Sequence, residues 1–338
     1  MKKVLFATTA LIATSGMAAA EVTFGGFGRF GLFYQENNDA TVGNSDTRIE
    51  QRFRLTATGT ATSDNGLEFE GRIRFQTDDQ ANGNSNIANR SAAGFAVSTG
   101  GFRLDVGHVS DVLDSGDVVN YYGYGVGLTS FAEQSSGFGL PASGFGTSAD
   151  DTEILPTVKL RYTAGDFTVA ASITDGTVSD TDGGTTAETV VERDEYMIGV
   201  GYNFGNYSVG LVYGSESTDT LTYDATATPE AVTATASVDN DFWALSFDGE
   251  IGAFAFSVLV ADDDTAGRDT RYGFSVKYDV GAATEIRFAF ADDGIDANDE
   301  TIAIGFRHSL GGGVSLRGGI GQNTAGNTTA DLGVIFNF

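Results

Sequence analysis

The residues best suited to act on a solute are two sets of opposite charge. One set consists of arginines spaced as in strands: Arg48, Arg52, Arg54, Arg72, Arg74 and Arg90. The other lies in segment 110–153, which has no Lys or Arg and carries Asp111, Asp114, Asp117, Glu133, Asp150, Asp151 and Glu153. Like charges on one wall repel one another unless water or carboxylates compensate them. We therefore expect Arg52, Arg54, Arg72, Arg74 and Arg90 to face Asp111, Asp114 and Asp117 across a constriction, whose transverse field sorts dipolar solutes without a reaction. The alternative is that these charges are solvated residues of the lumen and the loop with no special pairing.

Two other motifs lack the sequence context or the spacing that a binding site of their type requires. Residues 26–31 match G-x-G-x-x-G by letter, but they neither follow a strand nor open a helix, which excludes a dinucleotide site. Residues 262–267 begin like a calcium loop, yet Ala266 replaces a ligand and Gly273 stands at the twelfth position. A looser surface Ca²⁺ site there, or among Asp292, Asp293, Asp296 and Asp299, is an alternative to a solvated acidic loop. No other cofactor is expected.

Enzyme chemistry has little support in the chain. The two histidines are His108 and His308, and only His108 has carboxylates nearby in sequence, Asp105 and Asp111. No nucleophile motif lies near either histidine, so a serine hydrolase is a weak alternative. The absence of Cys removes every thiol or Cys-metal site. We therefore expect no enzyme.

The charged residues belong to sixteen segments in which apolar and polar residues alternate. Such alternation indicates strands with one apolar and one polar face. The segments are 22–35, 46–62, 66–77, 90–99, 101–109, 154–164, 166–175, 192–204, 206–215, 238–249, 252–261, 269–280, 283–292, 299–310, 313–322 and 328–338. Short Gly-, Asn- or Asp-containing turns alternate with long connections, of which 110–153, 176–191 and 216–237 are the longest. This layout predicts an all-β fold, a transmembrane antiparallel β-barrel with both termini on the short-turn, periplasmic side.

The basic residues of each strand fall on its polar face, which favours a lipid boundary on the apolar face. In segment 66–77, Arg72 and Arg74 alternate with Ile73 and Phe75, and the other strands split in the same way. Only the first strand is ambiguous, because Phe27 shares its face with Arg29. A lipid-facing Arg or Lys near the midplane of a barrel costs ~2–4 kcal/mol. A soluble β-sandwich has the same period and is the structural alternative.

The chain begins like an exported protein. Lys2 and Lys3 precede an apolar run, and residues 18–20 fit a cleavage site before Glu21. We therefore assign 1–20 to a signal peptide and 21–338 to one outer-membrane barrel. The net charge of −27 becomes −29 without the two lysines, which argues against nucleic acid as a partner. The apolar run is too short for a membrane helix, which needs ~20 residues.

The final segment, 328–338, carries the clearest strand pattern. Ala330, Leu332, Val334, Phe336 and Phe338 share one face, with polar residues and Ile335 on the other. We expect this strand to pair with the first, because an open sheet edge in lipid leaves backbone groups unsatisfied. The amino group of Glu21 and the carboxylate of Phe338 would then meet as an ion pair at the closure.

The chain resembles the general diffusion porins of the Gram-negative outer membrane, most of all the sixteen-stranded trimeric porins of alphaproteobacteria. The resemblance rests on SDNGLEF at 63–69, LRYTAGDFTVAAS at 160–172, YNFGNYSVG at 202–210, YGFSVKY at 272–278 and the closing segment 330–338. It implies a homotrimer, a long third loop folded into each lumen, and a water-filled channel for passive diffusion of ions and small hydrophilic solutes. It also implies contact with outer-membrane lipid and lipopolysaccharide, and recognition of Phe338 by the barrel-assembly machinery.

The resemblance also places the trimer contact on the early strands, roughly 22–35 and 46–109, and on the last strand. A substrate-specific channel is the main functional alternative. Only Phe27 and Phe33 would line its lumen with aromatic rings, which are few for a sugar path. With a net charge of −29, we expect a mild preference for cations.

Overall fold

The computed structural model describes residues 20–142, 155–180, 187–224 and 231–338. Of the predicted signal peptide, only Ala20 falls within these ranges. Asp150, Asp151 and Glu153 of the acidic segment lie outside them. None of the described residues forms a helix long and apolar enough to cross a membrane.

Sixteen antiparallel strands form one closed sheet, in which each strand pairs with the next and the last pairs with the first. The strands are β1 (Glu21–Gln35), β2 (Thr47–Thr62), β3 (Glu68–Asp78), β4 (Asn89–Arg90 and Gly94–Thr99), β5 (Phe102–Gly107), β6 (Thr157–Ala164), β7 (Phe167–Asp180), β8 (Ala187–Phe204), β9 (Tyr207–Asp224), β10 (Ala231–Ile251), β11 (Phe254–Asp263), β12 (Arg271–Asp279), β13 (Thr284–Asp292), β14 (Thr301–Gly311), β15 (Val314–Gln322) and β16 (Thr328–Asn337). Both segments of β4 pair with β3. The predicted sixteen-stranded antiparallel barrel is confirmed, and the two-sheet sandwich is excluded.

Short turns join the strands at one end of the barrel. β6 and β7 are connected by Gly165 and Asp166, and β8 and β9 by Gly205 and Asn206. The φ angles of the two glycines are 59° and 65°. Glycine adopts a positive φ without the penalty of a Cβ, so these dipeptides set tight hairpins. The turns predicted at these positions are confirmed.

Three strands extend much further than the sequence pattern predicts. β8, β9 and β10 contain 18, 18 and 21 residues. The predicted connections 176–191 and 216–237 are therefore wrong in part, because their flanks continue the β7–β8 and β9–β10 ladders. A strand that projects beyond the hydrocarbon layer meets water on both faces, so it need not alternate. Backbone pairing extends these hairpins, together with side-chain contacts between the strands such as the hydrogen bond from Ser217 to Asp239.

The outer surface of the barrel is apolar along its strands. Phe30 on β1 and Ile304 on β14 are exposed there. Aromatic rings gather near the short turns, where Tyr207 stacks on Phe204 and Phe247 with centroid distances of 5.8 Å and 6.0 Å. Outer-membrane barrels carry such an apolar band with aromatic girdles at the lipid interfaces. The outer face therefore fits a lipid layer.

The seam between β1 and β16 is closed through the last residue. The Gly26 amide donates to a terminal oxygen of Phe338 (3.0 Å), and the Phe338 amide donates to the Gly26 carbonyl (3.1 Å). The Phe338 ring stacks on Phe53 at 5.5 Å. Glu21 instead pairs with Thr60 of β2 and lies about 16 Å further along β1, at ~3.3 Å per residue. The expected ion pair between Glu21 and Phe338 is wrong, because the first strand overhangs the last.

Candidate functional site

The long connection after β5 turns into the barrel and lies along its inner wall. We call its described part, residues 108–142, the inner loop. Its apolar side chains pack against inward-facing residues of β7–β11 and β13, in one cluster formed by Val112, Leu113, Val119, Tyr121, Phe138, Leu140, Ala170, Met197, Val212, Phe242, Ala244, Leu259, Ala261 and Ala291. Burial of apolar surface away from water holds the loop against one side of the lumen. The predicted inward fold of the third loop is confirmed.

Glycines on the covered wall let the loop backbone lie directly on the sheet. A Cβ added at Gly210 of β9 would overlap the carbonyl oxygen of Val118. One added at Gly273 of β12 would overlap the carbonyl oxygen of Gln134. Gly31 of β1 likewise accommodates a methyl group of the loop, so this glycine serves a contact within the chain. At these positions the absence of a side chain lets the loop backbone approach the sheet.

Buried polar groups fix the position of the loop along the wall. Asp331 of β16 accepts hydrogen bonds from the Leu128 and Thr129 amides, each at 2.8 Å. The Asn120 side-chain amide donates to Asp248 of β10 at 2.7 Å. A polar group that is buried without a partner costs free energy, so these bonds define one position of the loop on the wall. The loop therefore extends along the inner wall as far as β16.

Strands β2 and β3 contribute no residue to the apolar cluster that holds the described part of the loop. Their inner faces carry the predicted arginines Arg52, Arg54, Arg72 and Arg74. Arg52 forms an ion pair with Asp78. The Arg54 guanidinium lies over the Phe27 ring, 5.0 Å from its centroid. These contacts orient the two side chains along the wall.

Asp114 is the loop carboxylate that the structure brings towards these arginines. It is among the charges that act on the partly buried Arg74 guanidinium. It also accepts a hydrogen bond from the Tyr122 hydroxyl at 2.6 Å. Burial and this bond to a carboxylate raise the pKa of Tyr122, which keeps the phenol protonated. Asp114 therefore has a fixed direction within the loop.

The two other predicted aspartates have different environments. Asp111 is fully buried and accepts the Asp114 amide at 2.7 Å, so it shapes the loop itself. Asp117 pairs with Lys159 at 2.7 Å and with Arg161. Burial alone would raise the pKa of Asp117, but the hydrogen bonds and charges of these two cations hold it below its ordinary value. The charge of Asp117 is therefore balanced on β6.

Three charged residues of the lumen were not assigned to the constriction from sequence. Lys159 and Arg161 line, with Asp117, a cavity of about 160 Å³ between the loop and the wall. Glu133 lies in the inner loop, where burial raises its pKa to about 7. The alternating positions of Lys159 and Arg161 predict their inward direction. Nothing in the sequence predicts their distance from Asp117.

Arg90 lies on the outer face of the barrel and not in the lumen. Its register partner is Phe75, an outward-facing and exposed residue. In the second segment of β4, Arg72 pairs with Gly94, so the register slips by one residue across 91–93. A slip of one residue turns a strand's side chains to the opposite face. The assignment of Arg90 to the constriction is therefore wrong.

The acidic loops considered for calcium do not gather ligands. Among the residues of the four described ranges, no three His, Asp or Glu side chains are arranged to hold a metal ion. Asp293 instead accepts hydrogen bonds from the Ile295 amide (3.1 Å) and the Asn298 side chain (2.7 Å). A surface calcium site stays an untested prediction.

Comparison with known proteins decides the family. The sequence profile of Gram-negative porins matches residues 7–328. The porin of Rhodobacter capsulatus is 32% identical over 330 residues, which cover 94% of this chain and all of that protein. The chain belongs to the Gram-negative porin family.

Two further relatives agree with this assignment. The porin of Fuscovulum blasticum is 26% identical over 341 residues, which cover 94% of this chain and all of that porin. A solved structure of a mutant Rh. blastica porin matches with a TM-score of 0.71 at 24% identity, and covers 94% of this chain and all of that one. This structural likeness concerns the fold.

The porin forms a water-filled channel through the outer membrane. A barrel of sixteen strands encloses a lumen too wide for side chains to fill. The inner loop packs on one side of this lumen and narrows it. Ions and small hydrophilic solutes diffuse through the channel.

Replacing Gly273 by Val tests whether the close contact between the loop and the wall sets the width of the channel. The new side chain would push the loop backbone off the wall and towards the arginines. We expect a lower single-channel conductance in planar bilayers. Gly281→Ala is the control, because a Cβ added there meets no atom within 4 Å. An unchanged conductance in folded Gly273→Val protein would mean that this contact does not limit the channel.

Proposed function

We propose that this porin selects solutes at a charged constriction between the inner loop and the arginines of β2 and β3. The observation that supports the proposal is that Arg72 of β3 lines one cavity with the loop residues Ser115 and Asp117. The Asp114 charge also acts on Arg74, although less strongly than the neighbouring arginines do. Charges of opposite sign on two sides of a passage with low-dielectric walls produce a strong local field. Dipolar solutes align in such a field, whereas apolar solutes must displace ordered water.

The acidic side of this constriction is Asp114. We add Glu133 to it because the Glu133 charge acts on Tyr122, the residue that donates its hydroxyl to Asp114. The sequence analysis also included Asp111 and Asp117, but their carboxylates serve the loop turn and the β6 cations. The basic side is Arg52, Arg54, Arg72 and Arg74. Because the whole mature chain is strongly acidic, a mild cation preference is expected despite the four arginines.

Reversal potentials in a salt gradient test the constriction. Asp114→Asn removes the carboxylate that acts on Arg74, so the permeability should shift towards anions. Asp64→Asn removes the same charge from a short turn and should leave the potential unchanged. Equal potentials for Asp114→Asn and the wild type would remove Asp114 from the constriction.

The raised pKa of Glu133 predicts that the ion selectivity of the channel depends on pH. With a pKa of about 7, its carboxylate is charged above neutral pH and protonated below it. The cation preference should therefore fall as the pH is lowered through 7, because the loop loses a negative charge. Measured between about pH 8 and pH 6, Glu133→Gln should give a nearly constant preference. A wild-type preference that does not change over this range would contradict the role of Glu133.

General diffusion is favoured over a specific sugar path by the inward aromatic residues. Phe33 and Phe27 lie under guanidinium groups, with Arg48 Cζ at 4.0 Å and Arg54 Cζ at 5.0 Å from the ring centroids. Their faces are therefore covered by charge and do not form an apolar slide. Membership of a channel family likewise favours a channel over a hydrolase.

Strand length supports a homotrimer with its contact on the early strands. The second segment of β4 and strand β5 contain 6 residues each. A strand needs ~9–11 residues to cross the hydrocarbon layer. We infer that this part of the wall faces protein, namely neighbouring copies of the chain. Its outer face carries exposed apolar residues that such a contact would bury, among them Phe95 and Phe102.

Quenching by brominated lipid tests this contact. The chain has no native Cys, so a fluorophore can be attached at Phe95→Cys or, as the matched control, at Ile304→Cys. The two side chains are 58% and 54% exposed in one chain. The label at 304 should be quenched and the label at 95 protected in membranes. Equal quenching, together with a monomeric mass in mild detergent, would contradict the trimer.

The remaining topology follows from the same proposal. Residues 1–20 act as a signal peptide, and the mature chain begins at Glu21. The short turns and both termini face the periplasm, while the long β7–β10 hairpins project outside the cell. There they meet the sugar and phosphate groups of lipopolysaccharide.

A further inference from the structure

Four pairs of basic residues lie directly opposite each other on the inner wall. They are Arg29 with Arg52, Arg103 with Arg161, Lys277 with Arg287, and Arg307 with Arg317. The Cβ atoms of directly opposite residues are about 5 Å apart, and like charges in this arrangement destabilise a sheet. Each pair is therefore more stable with negative charge close to it.

Carboxylates of the chain supply this charge to three of the pairs. They are Glu50 and Asp78 for the first pair, Glu70, Asp105 and Asp117 for the second, and Glu285 and Asp279 for the third. Each of these carboxylates lies on the lumen side of the wall or on the inner loop. The compensation is thus built into the fold at these three places.

The fourth pair, Arg307 with Arg317, differs from the other three in its contacts with carboxylates. Within the part of the chain that the structure describes, neither Arg307 nor Arg317 forms an ion pair, and Arg317 Nε donates to the Ser315 hydroxyl at 3.1 Å. The charges that act most strongly on Arg317 are the positive charges of Arg307 and Arg287. Glu285 lies opposite Arg307 and its negative charge also acts on Arg317, but its carboxylate is held 2.6 Å from Arg287. One carboxylate therefore serves the three guanidinium groups of Arg287, Arg307 and Arg317.

There is room for a small ligand beside Arg307. This residue borders a polar cavity of about 500 Å³ near the short turns, which is also lined by Thr284, Ser309 and the carboxylates Asp279 and Glu285. Arg287, on the strand next to that of Arg307, donates to the Gly125 carbonyl of the inner loop at 3.0 Å. The pair therefore lies on the short-turn side of the loop, where a solute leaves or enters the passage.

We propose that Arg307 and Arg317, with the Ser315 hydroxyl, bind small doubly charged oxyanions such as inorganic phosphate on their way through the channel. A guanidinium presents two parallel N–H groups that match two oxygens of a phosphate or carboxylate. An oxyanion between the two side chains adds negative charge where a single carboxylate, Glu285, serves three guanidinium groups. In an acidic channel this site gives multivalent anions a stable position, and an occupied site slows chloride.

Phosphate titration of the channel current tests the site. Chloride conductance is measured in planar bilayers at a pH of about 8, where phosphate is doubly charged. Added inorganic phosphate should lower the conductance of the wild type with a saturable dependence. Arg307→Gln and Arg317→Gln should each raise the half-effective phosphate concentration roughly tenfold, because each removes a charge-assisted contact.

Arg103→Gln is the matched control, since it removes an inward arginine whose pair has its own carboxylates. It should retain the response of the wild type. An equal response of all three variants, or no saturable response of the wild type, would overturn the proposal. If a variant fails to insert, ³¹P line broadening of phosphate by the detergent-solubilised wild-type porin decides the question, and the absence of saturable broadening refutes the site. None of these outcomes depends on the constriction, which is judged by reversal potentials.

Discussion

The need to satisfy every backbone N–H and C=O group within the lipid layer governs this structure. Lipid offers no hydrogen-bond partner, so a sheet in the membrane must close on itself. The chain meets this condition through the β1–β16 ladder, which continues to the last residue through the two bonds between Gly26 and Phe338. Closure also separates one face of each strand from the other. The outer face must be apolar, and the inner face is free to carry charge.

The inner face is divided between residues that receive the loop and residues that meet solutes. Glycines such as Gly210 and Gly273, with small side chains beside them, form part of the surface on which the inner loop packs. The large basic side chains of β2 and β3 occupy the opposite side. The size of inward-facing residues therefore determines where the loop lies. The position of the loop then determines where water and ions pass.

The charges of the lumen are arranged as local groups, and most cations have a fixed partner. Asp117 belongs to Lys159 and Arg161, and Arg52 belongs to Asp78. A formal count over the chain therefore says little about where a solute meets a net field. Such a field arises where the local balance is incomplete, as proposed for Asp114 facing Arg74 and for the Arg307–Arg317 pair.

The sequence by itself determined the barrel, the number of strands, the short turns and the inward direction of most arginines, because a lipid boundary imposes a period of two and hairpins require Gly, Asn or Asp. It predicted the inward loop from the charge that the arginines require and from resemblance to a family. Tertiary structure decided the rest. The one-residue slip in β4 turned Arg90 outward, and pairing in water, which needs no apolar face, lengthened the β7–β10 hairpins. The overhang of β1 separated Glu21 from Phe338. The partner of each loop carboxylate depends on how the loop packs against strands that are distant in sequence. The alternation of residues along one strand does not encode that packing.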